Sequence, residues 1–157
     1  MNRSFRLLIT FVAAIAVASI AAACGTERIS IPKSDPNYAN DLAGATLFNQ
    51  RCGGCHTFSY AGTRGSAANI RTAEAINGPN FNIRCERPVD RVLYAIENGG
   101  FSGAYMPANV VVGQQAQQVA NFVARFSGRQ APRIPGQPTC EQQAIGTLAA
   151  LPDPPTK

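Results

Sequence analysis

Apolar side chains recur at helical spacing in three stretches of the 157-residue chain. The first runs from Asp41 to Arg51, with Asn40 or Asp41 as the predicted N-cap. The second runs from Pro88 to Glu97, with the proline in the first turn, and the third runs from Gln114 to Phe126. No stretch shows the alternation of apolar and polar residues that is typical of a β-strand. The pattern therefore predicts an all-α protein.

The segments between and after these helices contain residues that break helices. Thr57 to Asn77 is rich in Gly, Ser, Thr and Arg, so we expect a loop there, with at most one short helix around Thr72 to Ile76. Asn98-Gly99-Gly100 should end the second helix. Beyond Gly128, six prolines leave room for one short helix, around Glu141 to Ala150.

The N-terminus has the three parts of a bacterial signal peptide. Two arginines precede an apolar run from Leu7 to Ala23, and small residues lead up to Cys24. The ending Ala21-Ala22-Ala23-Cys24 resembles a lipobox, in which the cysteine is acylated, although leucine is usual where Ala21 stands. Two alternatives stay open. Cleavage could leave a Cys24 thiol. Alternatively, the segment could stay uncleaved as a helical membrane anchor, since the 17 residues of its apolar run are near the lower limit for a membrane span.

The chain divides into four segments on this interpretation. Residues 1–23 form the signal peptide, and residues 24–40 form a polar tether that follows a lipidated Cys24. Residues 41–128 form one domain, and residues 129–157 form a proline-rich extension. We therefore expect an exported protein at the extracytoplasmic face of the bacterial membrane, held there by lipid at its N-terminus.

The charge of the chain gives no sign of a nucleic-acid partner. The formal net charge is +5, but without the two arginines of the signal peptide twelve basic residues face nine acidic ones, a net charge of +3. Only Lys33 and Lys157 are lysines, and both lie outside the predicted domain. A ring of lysines for docking a partner is therefore not expected.

The chemistry of the chain is concentrated in Cys52-Gly53-Gly54-Cys55-His56. This C-x-x-C-H motif is typical of covalent attachment of haem c, in which both thiols bond to the porphyrin and the histidine binds the iron. His56 is the only histidine in the chain. The alternatives are a zinc site or a redox dithiol. Structural zinc needs four ligands, and a thioredoxin-like dithiol lies in a βαβ pattern that the sequence lacks.

A second axial ligand for the iron would have to be a methionine. Of the two methionines, Met1 is lost with the signal peptide, so Met106 in Tyr105-Met106-Pro107 is the one candidate. A thioether suits haem iron and raises its reduction potential. The alternative is a methionine that only packs in the core. Tyr94 is a candidate to donate a hydrogen bond to the sulfur, or else to pack on the haem.

The cysteine count points to a disulfide. Five cysteines indicate an oxidising compartment. With Cys52 and Cys55 assigned to haem and Cys24 to the N-terminus, Cys85 and Cys140 remain. We expect these two to be joined, against the alternative of free or intermolecular thiols. Closing a loop of roughly 55 residues would contribute about 4 kcal/mol.

Taken together, the motifs resemble a class I c-type cytochrome over residues 41–128. They are Cys52-x-x-Cys55-His56, Gly78-Pro79-Asn80-Phe81, Asn98-Gly99 and Met106-Pro107, in that order between two terminal helices. The resemblance implies a cytochrome c fold, with about three to five helices around one haem. Phe81 departs from the leucine that is common there, and the lysine surface of the mitochondrial members is absent.

The resemblance also implies roles for other residues. The carbonyl of Pro79 would accept the Nδ1 proton of His56, which fixes the orientation of the ligand. The terminal helices would cross, with Gly44 and Phe48 of the first opposite the second. Their partners would be Phe122 and Phe126. One or two arginines could pair with the haem propionates. The candidates are Arg64, Arg71, Arg84, Arg87 and Arg91.

An iron with two protein ligands has no vacant site for a substrate, so the sequence predicts an electron carrier with no small-molecule substrate, not an enzyme. The leading hypothesis is one-electron transfer between respiratory membrane complexes, for example from a quinol-oxidising complex to a terminal oxidase. One alternative is a fixed cytochrome c subunit of an oxidoreductase complex, docked through the proline-rich tail. Another is an enzyme or sensor in which Met106 is displaced and the iron binds a small ligand.

Overall fold

Three α-helices make up most of the regular structure in the computed structural model, which describes residues 28–65, 78–101 and 106–148. Helical residues are 42% of this part, and its strands are confined to one short hairpin. The elements in chain order are α1 (Tyr38–Arg51), β1 (Thr57–Phe58), β2 (Thr63–Arg64), α2 (Val89–Asn98) and α3 (Gly113–Phe126). The described part of the chain is therefore mainly helical, and its assignment to the cytochrome c fold stays a prediction.

Helix α1 begins earlier than predicted. Its N-cap is Asn37, whose backbone N–H donates to Asp35 Oδ1 over 2.9 Å. The predicted N-cap at Asn40 or Asp41 was wrong for a tertiary reason. The Asp41 carboxylate is buried and accepts a 3.0 Å hydrogen bond from Arg125 Nε, so it does not cap the helix.

Helices α2 and α3 lie close to their predicted positions. Pro88 is the N-cap of α2 and not part of its first turn, and the backbone N–H of Val89 donates to Ile145 O over 2.7 Å. Gly99 ends α2 in the left-handed region, with φ of 75°. Helix α3 carries the predicted apolar stripe, which is buried: Val119, Phe122, Val123 and Phe126.

The segment after the C-x-x-C-H motif begins with a hairpin where a loop was predicted. Strands β1 and β2 pair antiparallel, with Thr57 opposite Arg64 and Phe58 opposite Thr63. A 3-10 turn, Ser59–Ala61, joins them. The short helix predicted around residues 72–76 lies outside the described residues.

Helices α1 and α3 approach each other closely at Gly44. A Cβ built on Gly44 would lie 2.7 Å from Phe122 Cβ and would also collide with Gln118 O, so only glycine permits this approach. One turn further along α1, Phe48 packs on Phe122 with 6.0 Å between ring centroids. Phe126 packs instead on Tyr60, at 4.9 Å. The apolar contact between the two terminal helices thus involves Gly44, Phe48 and Phe122.

Replacing Gly44 with alanine should destabilise the domain. Overpacking a close contact costs about 1–3 kcal/mol, and the better helix propensity of alanine returns about 1 kcal/mol. We expect the free energy of unfolding, measured by urea denaturation, to fall by about 1 kcal/mol. Gly54→Ala is the matched control, because a Cβ there meets no atom within 4 Å. Equal unfolding midpoints for the two variants would show that the helices do not meet at Gly44.

Part of the predicted tether belongs to the domain. Ile31 is buried in the core, and Ser30 N donates to Tyr60 O over 3.0 Å. The carboxylate of Asp35 binds Arg125 Nη2 at 2.6 and 2.8 Å. The packed domain therefore starts before residue 41. Ile31 is buried in its core, and Asp35 binds Arg125, which lies 90 residues further along the chain.

The first part of the C-terminal extension also packs on the domain. A disulfide joins Cys85 to Cys140, with 5.5 Å between their Cα atoms, as the cysteine count predicted. Arg87 links the extension to α3, since its Nη1 donates to Gln143 O over 2.7 Å and its Nε donates to Ala124 O over 2.7 Å. Of the short helix expected around residues 141–150, a 3-10 turn at Cys140–Gln142 is present, and residues 143–148 follow without a helix.

The predicted signal peptide, Cys24 and the last nine residues lie outside the described residues. In the ranges that are described, no helix combines the length and the apolar character needed to cross a membrane.

Candidate cofactor site

A cleft of about 240 Å³ opens between the C-terminal end of α1 and the inner faces of α2 and α3. Its walls are mostly apolar. They include Phe48, Val92, Ile96, Val111, Val119 and Val123. The same cleft is lined by the four residues that the sequence analysis assigned to the cofactor: Cys52, Cys55, His56 and Met106.

The end of α1 brings the C-x-x-C-H motif to this cleft. Cys52 N donates to Phe48 O over 2.8 Å, which continues the helix by one bond. Cys55 N and His56 N then both donate to Cys52 O, at 3.1 and 3.0 Å. The C-x-x-C-H spacing therefore forms a single turn, and both cysteines and the histidine of this turn line the cleft.

The two motif cysteines are thiols and do not form a disulfide with each other. Burial raises the pKa of the Cys52 thiol to about 11, and the neighbouring Cys55 adds to the rise. Dithiols that act in redox exchange depend instead on a lowered thiol pKa. The environment of Cys52 therefore gives no support to the redox-dithiol alternative.

His56 is held by its second nitrogen. The residue is 8% exposed, and the Nδ1 atom of its ring lies 3.1 Å from Pro79 O. A carbonyl can only accept, so this bond requires the proton on Nδ1 and leaves the Nε2 lone pair for a metal. Burial lowers the pKa of His56, which outweighs the opposing effect of the bond to Pro79 and favours the neutral, ligating form of the ring.

The surroundings of His56 restrict its movement. The Phe81 ring stacks on it at 4.8 Å between centroids and 10° between planes. A Cβ on Gly78 would lie within 2.6 Å of His56 Nε2, so the glycine of the Gly-Pro turn makes room for the imidazole. Phe81, which stands where leucine is common in the family that the sequence resembles, provides the stacking partner.

Two glycines at the end of α2 lie against the segment that carries Met106. Gly99 and Gly100 have φ of 75° and 83°, and a Cβ on Gly99 would lie 2.8 Å from Met106 O. A Cβ on Gly100 would lie 3.7 Å from the Met106 sulfur. Both glycines were predicted from the sequence to end α2, and Gly99 also belongs to the Asn98-Gly99 motif of the resemblance. Their second role, which is to let the methionine segment lie close to the helix end, could have been suspected from the doubled glycine alone.

Tyr94 does not donate a hydrogen bond to the sulfur of Met106 in the part of the chain that the structure describes. The tyrosine is 54% exposed and stacks on Phe101, with 5.8 Å between ring centroids. The expectation that it hydrogen-bonds the sulfur is therefore not met among the described residues, and it also lies outside the lining of the cleft. Tyr105, the tyrosine next to Met106 in the sequence, lies outside the described ranges.

The structure separates the candidate arginines. Of the four candidates that the structure describes, only Arg84 lines the cleft; Arg51, which was not a candidate in the sequence, lines it as well. Arg87 is occupied by backbone carbonyls, as described above, and Arg91 Nε lies 3.3 Å from Glu86 Oε2. Arg64 is not among the lining residues, and Arg71 lies outside the described residues.

Glu86 is a residue of the cleft that the sequence analysis missed. It is buried, lines the cleft and accepts a 2.7 Å hydrogen bond from Arg84 Nε. Its backbone N–H donates to Ser127 Oγ over 3.0 Å, which anchors it to the end of α3. No local pattern indicates that this glutamate is buried, because Ser127, which holds its backbone, lies 41 residues further along the chain.

The residues of the cleft fit a haem better than a bare metal ion. Among the described residues, no three or more His, Cys, Asp and Glu side chains lie close enough together to hold a metal. A haem iron already has four porphyrin ligands, so one imidazole and one thioether complete its coordination. The apolar walls suit the porphyrin, the two thiols suit its covalent attachment, and Arg51 suits its carboxylates.

Comparisons with models of protein families, with curated proteins and with solved structures found no match.

Proposed function

We propose that this protein is a one-electron carrier that holds a single haem c through Cys52 and Cys55, with His56 and Met106 as axial ligands. The observation that carries the proposal is the convergence of these four side chains on one apolar cleft, although Met106 is 50 residues from His56 in the sequence. A bound haem would supply an iron that cycles between the ferric and ferrous states.

The protein residues would control the properties of that iron. The Pro79 carbonyl orients the His56 ring and holds its Nδ1 proton, which strengthens Nε2 as a donor. The thioether of Met106 favours the ferrous state and so raises the reduction potential. With a haem bound, the apolar walls would exclude water from the cleft, which suits outer-sphere electron transfer rather than chemistry on a substrate.

The cellular role follows from the N-terminal sequence and belongs to the same proposal. The protein would be exported, anchored by lipid on Cys24 at the extracytoplasmic face of the membrane, and would pass electrons between a quinol-oxidising complex and a terminal oxidase. The C-terminal segment is attached to the domain at Cys140 and Gln143, which favours a carrier over a subunit that docks by a free proline-rich arm.

Expression of the full chain in a bacterium that attaches haem c tests the proposal. We expect the purified protein to be heavier by one haem, to keep that haem through acid-acetone extraction, and to titrate reversibly with a one-electron Nernst slope. A protein without covalent haem would contradict the proposal. A two-electron titration of the C-x-x-C thiols or one tightly bound zinc would instead favour the dithiol or zinc alternative.

A further inference from the structure

An exposed pair of aromatic rings lies at the rim of the cleft. Tyr94 and Phe101 are 54% and 49% exposed, and they stack with 17° between their planes. Phe101 also lines the cleft, and the Arg91 guanidinium lies 4.0 Å from the centroid of its ring. Exposed aromatic side chains with an arginine beside them are typical of the energetically important centres of protein interfaces.

The carboxylates beside this pair are available to a partner. Of the six carboxylate side chains in the described ranges, four pair with arginines: Asp35, Asp41, Glu86 and Glu141. The other two, Asp90 and Glu97, make no ion pair with any described residue. They are seven positions apart on α2, so they lie on one face of the helix with Tyr94 between them. All three line one surface groove together with Arg91, whose charge is paired with Glu86.

We propose that this face of α2, formed by Asp90, Tyr94 and Glu97 and continued by Phe101, is the docking surface for a redox protein whose own docking surface is basic. The inference rests on the proposed function. A lysine or arginine of the partner would lie between the two carboxylates and over the Tyr94 ring, where charge and the face of the ring both attract a cation.

The position of this surface suits electron transfer. A partner seated on Tyr94 is separated from the cleft by the stacked Phe101 ring, which lines the cleft together with Met106. The rest of the chain is basic overall, so the acidic face of α2 would also orient the encounter. Its polarity is opposite to that of a lysine-rich docking surface.

The test compares the double variant Asp90→Asn, Glu97→Gln with the control Glu141→Gln, which removes an exposed carboxylate in the C-terminal segment. The full-length holoprotein in its ferrous state is mixed with a ferric, lysine-rich cytochrome c in a stopped-flow instrument. One electron passes from this protein to the ferric probe. The same measurement with ferricyanide, an anionic oxidant, reports whether any change is specific to a basic partner.

We expect the rate constant of the double variant with the basic probe to fall about three- to tenfold at about 10 mM ionic strength, and the difference to vanish in about 0.5 M salt. The rate with ferricyanide should not fall, and Glu141→Gln should react like the wild type. Equal rates for the double variant and the control, or an equal fall with both oxidants, would overturn the docking surface.

A second measurement does not depend on haem. The inert paramagnetic cation hexaamminechromium(III) should broaden the backbone amide signals of residues 90–97 in NMR spectra, and the double variant should lose this broadening while Glu141→Gln keeps it. A protein that lacks haem but shows the broadening would defeat the proposed function and leave a cation-binding face. Absence of broadening, or a haem-containing protein with unchanged rates, would defeat the docking surface alone.

Discussion

Replacing both Cys52 and Cys55 with alanine should abolish covalent haem attachment and leave a protein that unfolds far more easily than the wild type. Both thiols line the cleft, and the described residues offer no other cysteine there, because Cys85 and Cys140 are joined to each other. The apolar walls would then face an empty or loosely filled space, and loss of buried contacts in a small domain removes much of its stability.

Mass spectrometry and haem staining of a denaturing gel measure the covalent attachment directly. Gly54→Ala is the control, because it alters the same motif but keeps both thiols, and it should retain full haem content. Covalent haem in the double alanine variant would contradict the assignment of these cysteines. Equal loss in the control would show that the maturation machinery, and not the cleft chemistry, is being tested.

Replacing Met106 with alanine should lower the reduction potential and open the iron to external ligands. A thioether stabilises ferrous iron relative to stronger donors, so its loss favours the ferric state. Axial ligands span about 0.8 V of haem potential, and we expect a fall on the order of 0.1–0.3 V. The ferric protein should lose its near-infrared sulfur-to-iron charge-transfer band, and the ferrous protein should bind carbon monoxide.

Met106→His provides the matched comparison. A second imidazole would occupy the sixth coordination position of the iron. This variant should therefore not bind carbon monoxide, while its reduction potential should stay below that of the wild type. An unchanged spectrum and potential in Met106→Ala would remove Met106 from the iron. Tight carbon monoxide binding by the wild type itself would favour the alternative in which the methionine is displaced and the protein acts as a sensor or enzyme.

Short-range patterns predicted the helices well. The stripe of α3 and the end of α2 at Gly99 depend on residues within about two turns, and these elements lie where the pattern put them. The start of α1 was misplaced because two carboxylates, Asp35 and Asp41, share one arginine from α3. A helix end that depends on a residue 84 positions away is not visible in a local window.

For the candidate site too, some features could be predicted from the sequence and others depend on the tertiary structure. The sequence by itself determined which atoms are available for chemistry, since one histidine, one methionine beyond the start and a C-x-x-C-H spacing leave few choices. Counting also led to the pairing of Cys85 with Cys140. These conclusions need no coordinates, because they depend on residue identity and on spacing within a single turn of chain.

Only the tertiary structure decided what surrounds those atoms. It placed Arg84 and Arg51 in the cleft, buried Glu86 beside them, and set Asp90 and Glu97 on the outer face of α2. It also drew the segment before α1 and the start of the C-terminal extension into the domain. The physical reason is that burial and ion pairing depend on which distant segments come together, and that is a property of the folded chain as a whole.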